Sequence, residues 1–219
     1  MNCAPALLAP SLAAVPGGRF RMGSDTGRPD ERPVRLVEVG PFFMGRTPVT
    51  NAEYAVFVAA GLAPPPPFER DAAFSAPSQP VVGVTWFEAV AFADWLSAEL
   101  GGVWRLPTEA EWERAARGGI EAASTAWGDR LPDGEVPTGP LDGPWSVAQG
   151  TPNGFGLFDM GTIVHEWCLD AYPGDPLRRA SRGGSWRHRV RWSPPAARSS
   201  LLPELRYADY GFRVLCEVT

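Results

Sequence analysis

The sequence has no lysine, only three cysteines and no long apolar run. Its 20 cationic residues are all arginines and face 25 acidic residues, a net charge of -5 that argues against non-specific nucleic-acid binding. Cys3, Cys168 and Cys216 are widely spaced and form no CxxC pair, so the sequence predicts neither a disulfide framework nor a zinc site. Proline, glycine and charged residues interrupt every stretch that approaches the roughly 18 apolar residues of a membrane span. We therefore expect no nucleic-acid partner and no membrane partner.

The start of the chain and its composition set the next expectations. Residues 1–16 are apolar but carry no basic residue before Arg19, so they lack the charged region that begins a secretory signal. We expect a cytoplasmic monomer, with export as the open alternative, and one domain over residues 1–219 with a flexible start over residues 1–15. The 24 glycines and 24 prolines are nearly twice the average share of about 12%. Much of the backbone should therefore run in loops and turns.

Three capping boxes, each a threonine followed three residues later by a glutamate, predict three helices in the first half. The boxes begin at Thr50, Thr85 and Thr108. The first two helices should span residues 51–60 and 86–100, and the third should end near Gly118. Short strands are expected at residues 19–22, 34–39, 104–106 and 211–215. The rest of residues 118–219 should be rich in loops, with further short strands.

Seven motifs in a fixed order carry a family resemblance. They lie at residues 16–24, 48–54, 80–86, 105–119, 152–160, 182–186 and 211–213. Together they closely resemble the formylglycine-generating-enzyme family, the sulfatase-modifying-factor type of the C-type lectin fold. The resemblance implies an α+β domain that is rich in loops, with two or three helices, small antiparallel sheets and a ligand surface built from the late loops.

The same resemblance argues against the family's metal sites. In the formylglycine-generating oxidases, two cysteines after the Gly-Gly-Ser-aromatic motif hold copper, and the matching positions here are His188 and Ser193, which supply no thiolate. At one calcium site of related enzymes an asparagine is matched by Ile163, and the other site's loop, residues 127–149, contains no asparagine. We therefore expect no cofactor, no bound metal and no oxidation of a sulfatase cysteine.

The segment 187–210 lies between Gly-Gly-Ser-Trp and Gly-Phe-Arg, the interval that variable proteins of diversity-generating retroelements diversify on this fold. The resemblance therefore implies a ligand-binding protein, of which such a variable protein is one form, with an unknown protein or small-molecule ligand that has acidic or aromatic features. Arginines and large aromatic residues are typical of binding interfaces. The candidate ligand-binding residues are Arg187, His188, Arg189, Arg191, Trp192, Ser193, Arg206, Tyr207, Asp209 and Tyr210. The simpler interpretation is that the arginines pair with loop carboxylates and that Trp192 packs in the core.

Two catalytic interpretations remain open beside the binding one. The first is a metal-dependent oxidoreductase of the same family, using iron or copper on His165 or His188 with a nearby carboxylate from among Asp159, Glu166, Asp170 and Asp209. The second is a Ser-His-Asp arrangement of Ser185 or Ser193 with His188 and Asp209, although the sequence has no nucleophile-elbow motif. The large aromatic residues of the scaffold motifs are expected to be core: Trp112, Trp127, Trp167, Trp186 and Phe212.

Overall fold

The computed structural model describes residues 9–121, 123–132, 142–190 and 193–218. The predicted α+β class is confirmed, with three helices and three small sheets in this part of the chain. The helices are α1 Asn51–Ala59, α2 Trp86–Leu100 and α3 Glu109–Arg117. The strands are β1 Leu12–Val15, β2 Gly18–Met22, β3 Arg35–Val39, β4 Phe42–Gly45, β5 Trp104–Arg105, β6 His165–Tyr172, β7 Asp175–Arg182, β8 Arg198–Leu201, β9 Tyr210–Phe212 and β10 Leu215–Glu217.

The three helices begin where the capping boxes predict. At each of Thr50, Thr85 and Thr108, the hydroxyl accepts from the amide three residues later while that glutamate accepts from the threonine amide. Gly118 ends α3 in the left-handed conformation, a common way to terminate a helix. Even the longest helix, α2 with 15 residues, is too short to cross a membrane, and no other helix in the described ranges qualifies.

The predicted strands β2, β3 and β5 lie within a residue of their expected positions, whereas β1 and β4 were not predicted and the last predicted strand is divided in two. Residues 210–217 form two strands, β9 and β10, which belong to different sheets. The first sheet has the order β1-β4-β10-β5, so it joins the beginning of the described chain to its end. The strands β2 and β3 form a separate hairpin, and the third sheet has the order β8-β7-β6-β9.

The longest strands, β6 and β7, lie in the half of the chain for which the sequence predicts only short strands among loops. They form an antiparallel hairpin whose turn is Pro173-Gly174, with Gly174 at φ 85°. A Pro-Gly pair between two extended segments is a turn signal, and it was available in the sequence. The hairpin positions two of the sequence-predicted segments, because β7 leads directly into Gly-Gly-Ser-Trp and β6 begins with His165.

The core confirms most of the aromatic predictions. Trp112, Trp167 and Phe212 are fully buried and Trp186 is 6% exposed. Trp127 is only partly buried, because its ring covers the edge of a core cluster and its indole nitrogen donates to the Thr151 carbonyl at 2.7 Å. The prediction that Trp127 is a core residue was therefore wrong.

Beneath the third sheet lies a set of buried charges, named here the buried ion-pair network and formed by Glu113, Glu166, Arg182 and Arg213. All four side chains are at most 1% exposed. The Arg213 guanidinium bonds both carboxylate oxygens of Glu166 at 3.0 and 3.1 Å, and Trp112 donates to the same carboxylate at 2.7 Å. Arg182 bonds Glu113. These charges are compensated within the scaffold.

Candidate functional site

The segment 187–210, named here the late loop, is hydrogen-bonded at its end to the first residue of β6. Strand β9 runs parallel to β6 with His165 opposite Tyr210, and the His165 amide donates to the Asp209 carbonyl at 2.9 Å. Trp186 donates its indole hydrogen to the Ala208 carbonyl at 3.2 Å and its backbone amide to Ile163 at 3.0 Å. These bonds bring Gly-Gly-Ser-Trp and residues 207–210 to one place, although they are separated by more than 20 residues.

Gly183 makes the turn out of β7 possible. Its φ is 78°, and a Cβ atom on it would lie 2.7 Å from the Gly161 Cα. Any larger residue would push the two backbones apart. The close approach aims the following residues, Ser185 to His188, across the end of the third sheet.

Ser185 is the centre of a short polar network. Its buried hydroxyl donates to Asp209 Oδ2 at 3.3 Å and lies 3.3 Å from His188 Nδ1, while its backbone amide donates to the same Nδ1 at 3.3 Å. In a Ser-His-Asp mechanism the histidine lies between the serine and the carboxylate. Here the serine lies between the other two and is 1% exposed, so the arrangement does not form a catalytic triad.

The two histidines of the chain face each other, although they are 23 positions apart. The His165 and His188 rings lie 5.3 Å apart in an edge-to-face arrangement, and Tyr210 packs 5.0 Å from His165. The pKa of His165 is lowered to about 4, chiefly by burial and also by His188 and Arg28, whereas Asp209 and a bond of 2.9 Å to the Gly183 carbonyl oppose the shift. His165 is therefore neutral at physiological pH.

Around this pair lies a cavity of about 610 Å³, named here the late-loop cavity. Five of the predicted ligand-binding residues line it: Arg187, His188, Tyr207, Asp209 and Tyr210. His165 lines it from β6, and Arg28 reaches it from the early loop of residues 23–33. Its size is ordinary for a small-molecule site.

The remaining predicted residues lie elsewhere. Arg206 is held by both Glu88 oxygens at 2.5 and 2.7 Å and by the Gly83 carbonyl at 2.9 Å, so it joins the late loop to α2. Ser193 is 5% exposed and lies against Gly184, where a Cβ atom would collide with the serine hydroxyl. Arg189 is exposed but does not line the cavity. Arg191 and Trp192 lie outside the described residues.

Arg28 had no sequence signal as a site residue. It reaches the cavity because Asp30, two residues later, ties the early loop to the third sheet. The Tyr172 hydroxyl donates to Asp30 Oδ2 at 2.9 Å, and Arg198 donates to the Asp30 carbonyl at 2.9 Å. Both partners lie far along the chain, and only the folded arrangement shows the contact.

The other metal-ligand candidates do not join the histidines. Glu166 is bonded to Arg213, Asp170 accepts from the Glu109 amide at 2.6 Å, and Asp159 accepts from Ala148 at 2.8 Å. In the ranges that the structure describes, no group of three histidine, cysteine or carboxylate side chains is arranged to hold a metal ion.

The two described cysteines also lie away from the cavity. Cys168 is fully buried in β6, and burial raises its pKa well above the usual range. Cys216 lies on β10, and its pKa is raised too, by burial and by Glu217. Neither thiol is poised as a thiolate, and neither stands at the positions that His188 and Ser193 occupy in place of the family's copper ligands. The copper site does not fit this chain.

Comparison with known proteins places the fold. A family model described as the sulfatase-modifying factor enzyme 1-like domain matches residues 2–218. The chain is 30% identical to the formylglycine-generating enzyme of Thermomonospora curvata, over 95% of this chain and 94% of that enzyme. PvdO from Pseudomonas aeruginosa shares 26% identity and superposes with a TM-score of 0.84 over 95% of each chain. Treponema denticola variable protein 1 has a TM-score of 0.80 at 22% identity, over 94% of this chain and 95% of that one. These likenesses confirm the predicted C-type lectin fold of the formylglycine-generating-enzyme subtype.

Proposed function

The chain belongs to the sulfatase-modifying factor family, and from that membership we propose that it is a ligand-binding protein whose recognition surface is the late-loop cavity. The observation that carries the proposal is the composition of that cavity. At the two positions where the family's oxidases hold copper stand an imidazole and a buried hydroxyl. Around the His188 imidazole, arginine, histidine and tyrosine side chains line an open volume of about 610 Å³. Such a lining suits recognition.

The rim of the cavity supports the proposal. Arg187 and Tyr207 are both exposed, and both line the cavity together with the buried Asp209. The Arg187 guanidinium stacks on Trp186 at 4.7 Å and lies 3.6 Å from Asp209, so a scaffold residue holds it in place. An arginine held in this way loses little conformational freedom on binding.

A screen of small-molecule ligands by thermal shift tests the proposal. The expected result is that ligands raise the Tm of the wild-type protein but not that of the double variant R187A/Y207A. Arg70→Gln is the control, because Arg70 is almost fully exposed and does not line the cavity, so its loss should leave every shift in place. Ligands that stabilise the double variant as well as the wild type would contradict the proposal.

We further propose that the protein is of the retroelement-diversified kind, with variation confined to residues 187–210. The support is the position of this segment, which starts beside Trp186 and returns at Tyr210, both anchored to the β6 region. The test is genomic. A neighbouring reverse-transcriptase gene and a near-copy of the terminal segment that differs at adenines are expected. A neighbourhood without either would overturn diversification and leave the binding role intact.

A second candidate function is a metal-dependent oxidoreductase, and it is favoured by the convergence of His165 and His188 at 5.3 Å. Both histidines use Nδ1 in internal bonds, which leaves two Nε2 atoms as the available ligands. Metal analysis of the purified protein after iron or copper titration separates the two functions. Stoichiometric metal that is lost in His188→Ala, together with oxygen consumption on a cysteine-containing peptide, would overturn the binding proposal.

A further inference from the structure

The charges that line the late-loop cavity do not balance. Three arginines, Arg28, Arg187 and Arg198, face it against one carboxylate, Asp209. Arg198 is compensated from behind by Glu109, and Arg187 lies 3.6 Å from Asp209. One guanidinium therefore remains without an ion-pair partner among the described residues.

That guanidinium belongs to Arg28. Its side chain makes no hydrogen bond or ion pair with the residues that the structure describes, and Glu31 acts on it electrostatically without forming an ion pair. The backbone beside it is nevertheless fixed, because Asp30 is bonded to Tyr172 and Arg198 at 2.9 Å each. The guanidinium N–H groups of Arg28 are therefore available on an anchored loop. A planar guanidinium can donate two parallel hydrogen bonds to a carboxylate.

The two histidines add an acceptor and a donor. The Gly183 carbonyl can only accept, so the proton of the neutral His165 ring is on Nδ1 and its Nε2 is an acceptor. The Ser185 amide can only donate, so His188 accepts at Nδ1 and carries its proton on Nε2. Neither Nε2 atom bonds another described residue. A ligand hydroxyl, which both donates and accepts, suits this pair.

The aromatic residues of the cavity offer a third kind of contact, an apolar ring face. Tyr207 is 48% exposed, and its ring centroid lies 6.1 Å from that of the buried Tyr210. A half-exposed tyrosine beside a buried one offers a ring face to a planar ligand.

We propose that the late-loop cavity binds a small planar carboxylate that carries a hydroxyl group, with Arg28 as the residue that recognises the carboxylate. This inference rests on the proposed binding function and names its ligand class. The carboxylate neutralises the uncompensated guanidinium, the hydroxyl meets the histidine pair and the planar part packs on Tyr207.

The probe for the test is 4-hydroxybenzoate, measured against the full chain by isothermal titration and ligand-observed NMR. Its neutral counterpart, 4-hydroxybenzamide, has the same shape without the charge, and inorganic sulfate has charge without the ring. The benzoate is expected to bind at millimolar concentration, about tenfold more tightly than the amide. Arg28→Gln should weaken benzoate binding about tenfold and leave amide binding unchanged, while Arg70→Gln, which removes the same charge elsewhere, should change neither.

Several outcomes would overturn the inference. Equal binding of benzoate and amide would show that the carboxylate is not recognised. Equal benzoate binding by the wild type and Arg28→Gln would show that Arg28 does not recognise it. Sulfate binding as tight as that of benzoate would reduce the site to a simple anion site. No benzoate binding at millimolar concentration would also overturn it. None of these outcomes bears on the proposed function, which fails on different results, namely thermal shifts that persist in R187A/Y207A or metal-dependent oxygen turnover.

Discussion

The buried ion-pair network and the late-loop cavity are made from the same residue types and differ in how far those residues satisfy one another. In the network, Arg213 and Glu166 are fully buried and bonded through two contacts. In the cavity, Arg28 has no ion-pair partner among the described residues and two imidazole Nε2 atoms make no bond there. The two regions lie on opposite sides of the third sheet's functional strand β6, which contributes Glu166 to one and His165 to the other.

Whether an arginine has a bonded carboxylate partner separates the arginines that stabilise the fold from those that are available to a ligand. Removing one partner of a buried ion pair leaves an uncompensated charge in a medium that solvates it poorly, so the network should be sensitive to any change. An exposed side chain without bonds can be replaced at little cost to stability. Substitutions in the two regions should therefore separate stability from binding.

The largest expected effect is in the network. Arg213→Met leaves the Glu166 carboxylate buried without its cation, and we expect a loss of about 3 to 5 kcal/mol in the free energy of unfolding. The matched control is Arg206→Met, which breaks a more exposed pair with Glu88 and should cost about 1 kcal/mol or less. Urea denaturation measures both. Equal losses would mean that burial does not distinguish the two pairs.

The next effect concerns aromatic residues. Trp112→Ala and Trp167→Ala remove fully buried rings and should each cost about 3 to 5 kcal/mol. Tyr207→Ala removes a half-exposed ring and should leave the Tm almost unchanged. If Tyr207→Ala destabilised the protein as strongly as the tryptophan variants, the rim of the cavity would be structural rather than free for recognition.

The helices, the fold and the cavity differ in how far the sequence alone predicts them. Helices α1, α2 and α3 could be placed closely because capping boxes are local patterns, and the fold could be identified from ordered motifs. His188, Asp209 and Tyr207 could be predicted because they lie inside the interval 187–210. Arg28 could not, since it reaches the cavity through bonds between Asp30 and residues more than 140 positions away. Arg206 was predicted as a ligand-binding residue because its partner Glu88 lies far away in the sequence, and only the fold shows that the two side chains pair.

A smaller effect depends on pH. The pKa of His165 is lowered from 6.5 to about 4, so between these values the unfolded chain binds a proton that the folded chain does not. Stability should therefore fall as the pH drops through this window, by at most about 3 kcal/mol. His165→Gln retains a donor for the Gly183 carbonyl but does not titrate. Urea denaturation at a series of pH values should show a shallower acid loss for the variant, and parallel curves for the two proteins would contradict the assignment of a neutral, half-buried His165.

The smallest effect on stability is expected at Arg28, where the contrast between the two regions is sharpest. Because its guanidinium makes no bond to the described residues, Arg28→Gln should change the free energy of unfolding by no more than about 0.5 kcal/mol. The same substitution is expected to weaken binding of 4-hydroxybenzoate about tenfold. Denaturation and titration of one preparation measure both quantities. A variant that loses stability together with binding would place Arg28 in the scaffold with Arg213, whereas a loss of binding alone separates the residue that recognises from the residues that hold the fold.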